Sequence, residues 1–516
     1  MLARMLGAAL LGIDATLVRV EAHASSGLPA VSTVGLPDSS VRESRERVRS
    51  AIINSGFTYP QRRITINLAP ADVRKAGSTL DLPVAAAIVA LNEGILCQPR
   101  QEATVLIGEL SLDGAVRPVP GVLSVVLEAR ARGLRRVLVP RDNAEEAALV
   151  GGMTVVPVVS LGETIGVLNG STALRRAPAR DEAALKAALA RAGETAPDLS
   201  DVRGQSHARR ALEVAAAGGH NILLIGPPGT GKTMLARRIP GILPPLTVEE
   251  AMEVTRIHSV AGRGHSAGLV LKRPFRSPHH TASDAALVGG GSGVWGARPG
   301  EVSLAHHGVL FLDELPEFRR HALEALRQPL EDGVVAISRS ARAVMFPTAF
   351  TLAAAMNPCK CGFLGSRLKE CLCTPPQVAQ YRNRVSGPLL DRIDLHVEVP
   401  AVAYREMSSD EPSESSAAVR MRVIAAREIQ SVRGGGFICN ASMPAALLRK
   451  HCSLDAAGRR LMEQAMRKLG LSARGHDRIL RVARTIADLA GSDRIEAGHL
   501  AEAIQYRTLD RLPENR

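Results

Sequence analysis

Apolar positions change their period along the chain, and the changes divide it. Over the first 170 residues, alternation at Val18–Ala22 and Arg63–Leu68 predicts strands. Ser40–Ser55 sets Val41, Val48 and Ile52 on one face against charges on the other, which predicts an amphipathic helix. Leu82–Leu91 is apolar throughout and predicts a buried helix. Val105–Gly108 and Arg136–Pro140 predict strands around a helix at Gly121–Arg132. Residues 171–197 are rich in Ala, Arg and Glu and poor in large apolar side chains, so they predict a linker, with a helix at Ala183–Ala192. Short unbroken apolar runs at Asn221–Ile225, Val309–Leu312 and Thr351–Met356 predict buried strands within a module spanning 198–400. Met407–Ser416, rich in Ser, Glu and Asp, predicts a loop. The helical period then holds through Ala417–Arg433, Pro444–Arg449, Asp455–Leu469, Ala473–Ala490 and Glu496–Tyr506. No fixed-period repeat occurs.

The run before residue 226 opens onto Gly226-Pro227-Pro228-Gly229-Thr230-Gly231-Lys232-Thr233, a full match to G-x-x-x-x-G-K-[ST]. Met234-Leu235-Ala236 follows as a predicted helix start. Strand, glycine loop and helix together present backbone N–H groups and a helix N-terminus to phosphates. Lys232 is expected to reach the β- and γ-phosphates of ATP, and Thr233 to hold Mg²⁺. The strand Val309–Leu312 ends in Asp313-Glu314. Asp313 is expected to bind Mg²⁺ and Glu314 to polarise the attacking water. These features predict binding and hydrolysis of ATP.

Composition narrows the setting. No stretch of 18 apolar residues occurs, which predicts no membrane span. Arg4, the run Met5–Ile13 and Ala22-His23-Ala24 imitate a signal peptide, but Asp14, Arg19 and Glu21 interrupt it, so a folded strand pair is expected. Seven cysteines, four of them clustered, make no disulfide framework and suit a reducing cytoplasm. The formal charge of +13 is compatible with nucleic acid, although eight lysines among 64 basic residues also fit an arginine bias of genome composition.

Longer motifs carry a resemblance. Leu199-Ser-Asp-Val-Arg-Gly204-Gln205 looks like the start of an AAA+ module. Arg273-Pro-Phe-Arg-Ser-Pro-His-His-Thr-Ala-Ser283, Pro299-Gly-Glu-Val-Ser-Leu-Ala-His-His-Gly308 and Ser386-Gly-Pro-Leu-Leu-Asp-Arg392 resemble magnesium-chelatase-like AAA+ proteins, and with this N-terminal region the YifB/ComM family. The resemblance covers nearly the whole chain. It implies an α/β fold in three parts: a Lon-protease-like (ribosomal S5 domain 2-like) α+β domain at 1–170, an AAA+ core at 198–400, and a helical lid at 401–516. It implies a homo-hexamer in the cytoplasm, and for ComM-type members a DNA helicase that drives branch migration during natural transformation, acting on single-stranded and branched DNA.

By the same resemblance, Asn357 matches the polar sensor that positions water, Arg392 the arginine finger completing a neighbour's site, and Arg474 sensor 2, with Arg478 and Arg481 close by in sequence. Asn357 is alternatively a strand-end turn residue, and Arg392 a surface ion pair. The loop Gly289–Gly300 matches an insertion that points into the ring pore, where Trp295 would stack on a base and Arg298 contact phosphate. The other reading is a loop whose tryptophan packs locally.

Cys359-Lys-Cys361 and Cys371-Leu-Cys373 place four thiols in fifteen residues, which predicts a structural Zn²⁺ site within an insertion at 359–373. A redox-labile thiol pair or reduced, unliganded cysteines are the alternatives. Gly108–Leu123 and Gly133–Pro140 resemble the proteolytic domain of Lon, and Lys75–Pro83 the segment with its nucleophilic serine. That position falls on Thr79, beside Ser78, and the lysine position on Leu123, with no lysine between Lys75 and Lys186. Arginine stays protonated and cannot act as the base. The domain is therefore expected to lack peptidase activity, and to bind DNA or buttress the ring. The alternatives to a DNA motor are a chaperone or unfoldase ring and a magnesium-chelatase-like motor subunit.

Overall fold

The computed structural model describes residues 2–507 apart from 37–38, 74, 76, 93–102, 174–175, 179–180, 194–195, 264–267, 291–296, 340–341, 367–368, 403–412 and 435–438. Near the N-terminus, Leu2–Leu11 pairs antiparallel with Asp14–Ser25, so the apolar run at Met5 is one arm of the expected strand pair. The seven-stranded sheet runs Ala30–Val34, Arg63–Ala69, Asp14–Ser25, Leu2–Leu11, Thr104–Leu106, Arg136–Pro140, Thr154–Val158. The helix Asp81–Asn92 is buried over all but its last residue, as its uniform apolarity requires.

A second sheet has five parallel strands in the order Phe275–Arg276, Val309–Leu312, Thr351–Met356, Ile222–Ile225, Leu395–Glu398. Ile222, Leu224, Phe311, Ala353 and Val397 enter one apolar cluster, while Leu223, Ile225, Leu312, Ala354 and Met356 enter another. Neighbouring side chains point to opposite faces, so a sheet covered on both sides needs continuous apolar runs.

The first of those clusters continues without a break into the C-terminal helices, through Val423, Met462, Ile479, Leu500 and Tyr506. These helices are Ser416–Gly434, Ala445–His451, Ala456–Leu469, Ala473–Leu489 and Ala497–Gln505, within one or two residues of the predicted spans. The chain returns to the sheet at its last described residues. Tyr506 O accepts from His396 N at 2.8 Å and Arg507 Nη1 donates to Ile393 O at 2.7 Å.

The helix Val248–Val260 joins the two sheets. Its start carries a capping box between Thr247 and Glu250. Arg256 pairs with Asp14 at 2.8 Å, and Ser259 Oγ accepts from Gly121 N at 2.9 Å. Among the described residues, no helix is long and apolar enough to cross a membrane.

Candidate functional site

Parallel order brings the strand ends together. Ile225 pairs with Met356, so Gly226 and Asn357 leave the sheet side by side. Thr351–Met356 lies between the strand leading to the glycine loop and the strand ending at Asp313. The loop then needs glycine at three points for two reasons. A Cβ at Gly226 would stand 2.1 Å from Val399 O, and Gly229 and Gly231 take φ of +79° and +84°. The helix begins at Lys232, two residues before the predicted start, and breaks after Ala236; a second short helix, Ile239–Ile242, follows.

Lys232 is buried. Its Nζ donates to Gly226 O at 2.7 Å, Pro227 O at 2.8 Å and Asn357 Oδ1 at 3.2 Å. Burial lowers its pKa, and the carboxylate of Asp313 opposes that. Thr233 Oγ1 donates to Asp313 Oδ2 at 2.6 Å. A hydroxyl and a carboxylate converging beside a phosphate loop form the hard-oxygen donor set that Mg²⁺ prefers. The loop and this oxygen pair fit a magnesium nucleotide. Thr230 Oγ1 donates to Pro227 O at 2.9 Å, and Gln205 Nε2 donates to Thr230 O at 2.6 Å.

Glu314 takes φ of +53°, unusual for a side chain with a Cβ. Its carboxylate lies 3.3 Å from His280 Nδ1. Sequence reasoning placed Glu314 but not its histidine partner, because the two meet only through the order of the sheet.

The arginines stand elsewhere. Arg392 precedes the strand Leu395–Glu398, and Asn221 Nδ2 donates to its carbonyl at 2.9 Å. Asn221 opens the strand that ends at the glycine loop. Arg392 and Lys232 therefore lie beyond opposite ends of neighbouring strands, about 13 Å of strand apart. The Arg392 guanidinium is 7% exposed, pairs with Glu331 and donates to Pro388 O at 2.6 Å. Arg474 approaches the same Glu331 at 4.0 Å and is 69% exposed. Arg478 and Arg481 point inward, to Asp394 at 3.2 Å and Met443 O at 3.0 Å. Of these three, Arg474 alone presents an exposed guanidinium.

The four thiols come together as the spacing predicts, all within 4.8 Å of one another. Sγ–Sγ separations are 3.4 Å for Cys359–Cys361, 3.6 Å for Cys359–Cys371 and 3.5 Å for Cys361–Cys371. Four sulfurs at about 2.3 Å from one ion would be about 3.8 Å apart, so the cluster is compatible with tetrahedral Zn²⁺.

A second close group, Glu253 with His306 and His307, was not foreseen. Ala349 N donates to His306 Nδ1 at 3.0 Å, which fixes the proton on Nε2. That nitrogen donates to Glu253 at 3.1 Å, and His307 Nε2 stands 2.8 Å from the same oxygen. With its Nε2 lone pair committed to hydrogen, His306 is a clamp on the helix Val248–Val260 and not a metal ligand. The hydrogen bond from His306, joined by His307 against the cost of burial, holds Glu253 down at about 2. Burial lowers His306 below its usual 6.5. Both shifts leave the unfolded chain binding more protons, so stability falls as pH drops: below about 6.5 through His306, and from 4.5 toward about 2 through Glu253. Glu253→Gln is expected to cost about 1 kcal/mol at pH 7, since the half-exposed carboxylate is screened by solvent, and to flatten the acid limb. Urea unfolding followed by circular dichroism at several pH values checks this.

In the Lon-like region, Thr79 is 2% exposed with Oγ1 donating to Ala8 O at 3.3 Å, and Leu123 is fully buried. Lys75 is buried, with its ammonium on Pro70 O, and Ser78 bonds to Glu109. Arg298 is exposed and pairs with Gly290 in a two-residue antiparallel ladder. Trp295 lies outside the described residues.

Comparison with known proteins agrees with this architecture. The family model described as magnesium chelatase, subunit ChlI, matches residues 198–407, and those of its ChlI subunit and C-terminal region match 20–143 and 413–507. The YifB protein of Escherichia coli K12 is 48% identical over 505 residues, 98% of this chain and 96% of the relative. The competence protein ComM of Haemophilus influenzae is 44% identical, over 97% of this chain and 96% of its own length. The Lon protease of Rhizobium meliloti is 29% identical over 134 residues, 24% of this chain and 16% of that protein. The chain belongs to the YifB/ComM family of magnesium-chelatase-like AAA+ proteins, with a Lon-like N-terminal region and a helical C-terminal domain.

Proposed function

We propose that this chain is an ATPase working as a hexameric DNA motor, a ComM-like branch-migration helicase acting in recombination during natural transformation. One observation carries the mechanism: Lys232, Thr233, Asp313, Glu314 and Asn357 gather beyond the C-terminal ends of the strands, while Arg392 stands at the N-terminal end, with Arg474 beside it at Glu331. Within one chain the two sets stand apart. A ring of identical chains brings them together by docking the arginine end of one copy on the loop end of the next. Lys232 and the loop N–H groups then hold the β- and γ-phosphates, and Thr233 and Asp313 hold Mg²⁺, which neutralises phosphate charge. Glu314 orients the water, Asn357 aligns it, and the neighbour's Arg392 and Arg474 stabilise charge developing in the transition state.

The choice of DNA rests on the 44% identity to a protein named for competence and on the charge of +13. Arg298, at the base of the 289–300 loop, supplies a contact to DNA phosphate, and Trp295 stacks on a base. The four cysteines hold a structural Zn²⁺. The Lon-like domain buttresses the motor without peptidase activity, a reading supported by its contacts to Arg256 and Ser259. A second reading, a chelatase-like motor subunit, draws on the names of the matching family models.

Steady-state ATP hydrolysis with and without single-stranded and branched DNA separates the two. DNA is expected to raise the rate several-fold, with the stimulation fading as salt rises. A rate indifferent to DNA overturns the DNA motor and favours the chelatase-like or chaperone readings.

A further inference from the structure

The cysteine loop touches the phosphate loop. Asn357, whose Oδ1 accepts from Lys232, is followed at once by Pro358 and the buried Cys359. The chain turns back at Gly362, with φ of +86° and Gly362 N donating to Cys359 O at 3.0 Å. A Cβ at Gly362 would stand 2.8 Å from Pro228 Cδ and 3.8 Å from Asn357 Cγ. The turn inside the thiol cluster thus packs on the second proline of the glycine loop. The far side returns to the same place, since Arg382, in the helix Pro375–Arg382, donates through Nε to Pro358 O at 3.2 Å.

Little apolar burial orders this segment, although Lys369 sits 5.1 Å from the centre of the Phe363 ring. Between 359 and 373, Cys359 and Gly362 are the buried residues among those described, and Leu372 is 82% exposed. A loop without a core of its own depends on its cross-links for shape. The cross-link here is the set of four sulfurs, with Cys371 and Cys373 tying the outgoing strand of the loop to Cys359 and Cys361.

We propose that the metal-bound cysteine cluster is a brace for the nucleotide site: zinc fixes Gly362 against Pro228 and sets Asn357 beside Lys232, so loss of the metal weakens nucleotide binding. This deepens the ATPase and zinc readings above and rests on both. Cys371 and Cys373 are positioning residues, acting through Gly362 and Asn357 rather than on the nucleotide.

The test measures zinc content and equilibrium affinity for a fluorescent, non-hydrolysable ATP analogue with Mg²⁺, on the full chain. The wild type is expected to hold one zinc per chain. Cys371→Ser is expected to lose it and to bind the analogue about 10-fold more weakly, the scale on which supporting residues tune a site. Gly362→Ala keeps all four thiols but intrudes on Pro228, so it is expected to retain zinc and still lose affinity. If Cys371→Ser fails to fold by circular dichroism, chelating the wild type and reloading it with Zn²⁺ decides, with affinity expected to fall and recover. Wild-type protein without zinc overturns the zinc reading, and wild-type protein that binds no analogue overturns the ATPase reading. Zinc present, with affinity unchanged on its removal, overturns the brace alone.

Discussion

Mixing two inactive variants, Lys232→Ala and Arg392→Ala, is expected to restore ATP hydrolysis. Each variant alone carries the same defect at every site of its ring. In a random equal mixture, a site is complete when its loop comes from the Arg392→Ala chain and its arginine from the Lys232→Ala chain. That arrangement occurs at about a quarter of the interfaces of a closed ring of identical chains. Separately, the Arg392 variant is expected to lose about 10³-fold in kcat, since an arginine finger contributes that or more. Arg392 pairs with a half-exposed Glu331, so its removal leaves a carboxylate that water can reach and the fold survives. Activity of the mixture equal to the sum of the two variants means that Arg392 serves its own chain or none.

Glu314→Gln is expected to lower hydrolysis by about 10²–10⁴-fold while leaving affinity for ATP in place. The amide keeps the size of the side chain and its reach to His280, now 3.3 Å from the carboxylate, but loses the charge that draws a proton from water. Lys232 and Thr233, proposed to hold the nucleotide, bond to Gly226 O and Asp313, and the one bond from Asp313 to Glu314 is accepted from its backbone N, which the amide leaves in place. Single-turnover hydrolysis and equilibrium binding on the same preparation separate the two effects. A variant that still turns over at the wild-type rate removes Glu314 from the chemistry.

How much of this was legible in the sequence follows from how local each feature is. The glycine loop, the Asp313-Glu314 pair and the C-terminal helices were legible because loop, strand end and amphipathic face are each written in a few consecutive residues. The cysteine cluster was legible for the same reason. What escaped was set by topology. Nothing local says that Thr351–Met356 inserts between the strands of Lys232 and Asp313, or that His280 reaches Glu314. Arg474 matched sensor 2 by resemblance, and its meeting with Arg392 at Glu331 follows only from how the helical domain folds over the sheet. The helix Val248–Val260 starts at a local capping box, Thr247 with Glu250, but its buried face includes Ala251, Thr255 and Ser259, so no strong apolar stripe marks it. The run Met5–Ile13 was foreseen as a strand arm; the arm begins earlier, at Leu2, and stops at Leu11, because Gly12 and Ile13 form the turn into Asp14–Ser25.

The clasp of Tyr506 and Arg507 on the strand Leu395–Glu398 has a consequence for synthesis. The N-terminal sheet is complete once residue 158 has left the ribosome, and can fold while translation continues. The second sheet is completed later: His396 N and Ile393 O find their partners at Tyr506 and Arg507, more than a hundred positions downstream. Until the helix Ala497–Gln505 emerges, the core that Val423 and Ile479 share with Leu500 and Ala503 is incomplete. The second sheet is therefore expected to reach its final form only after residue 507 has emerged.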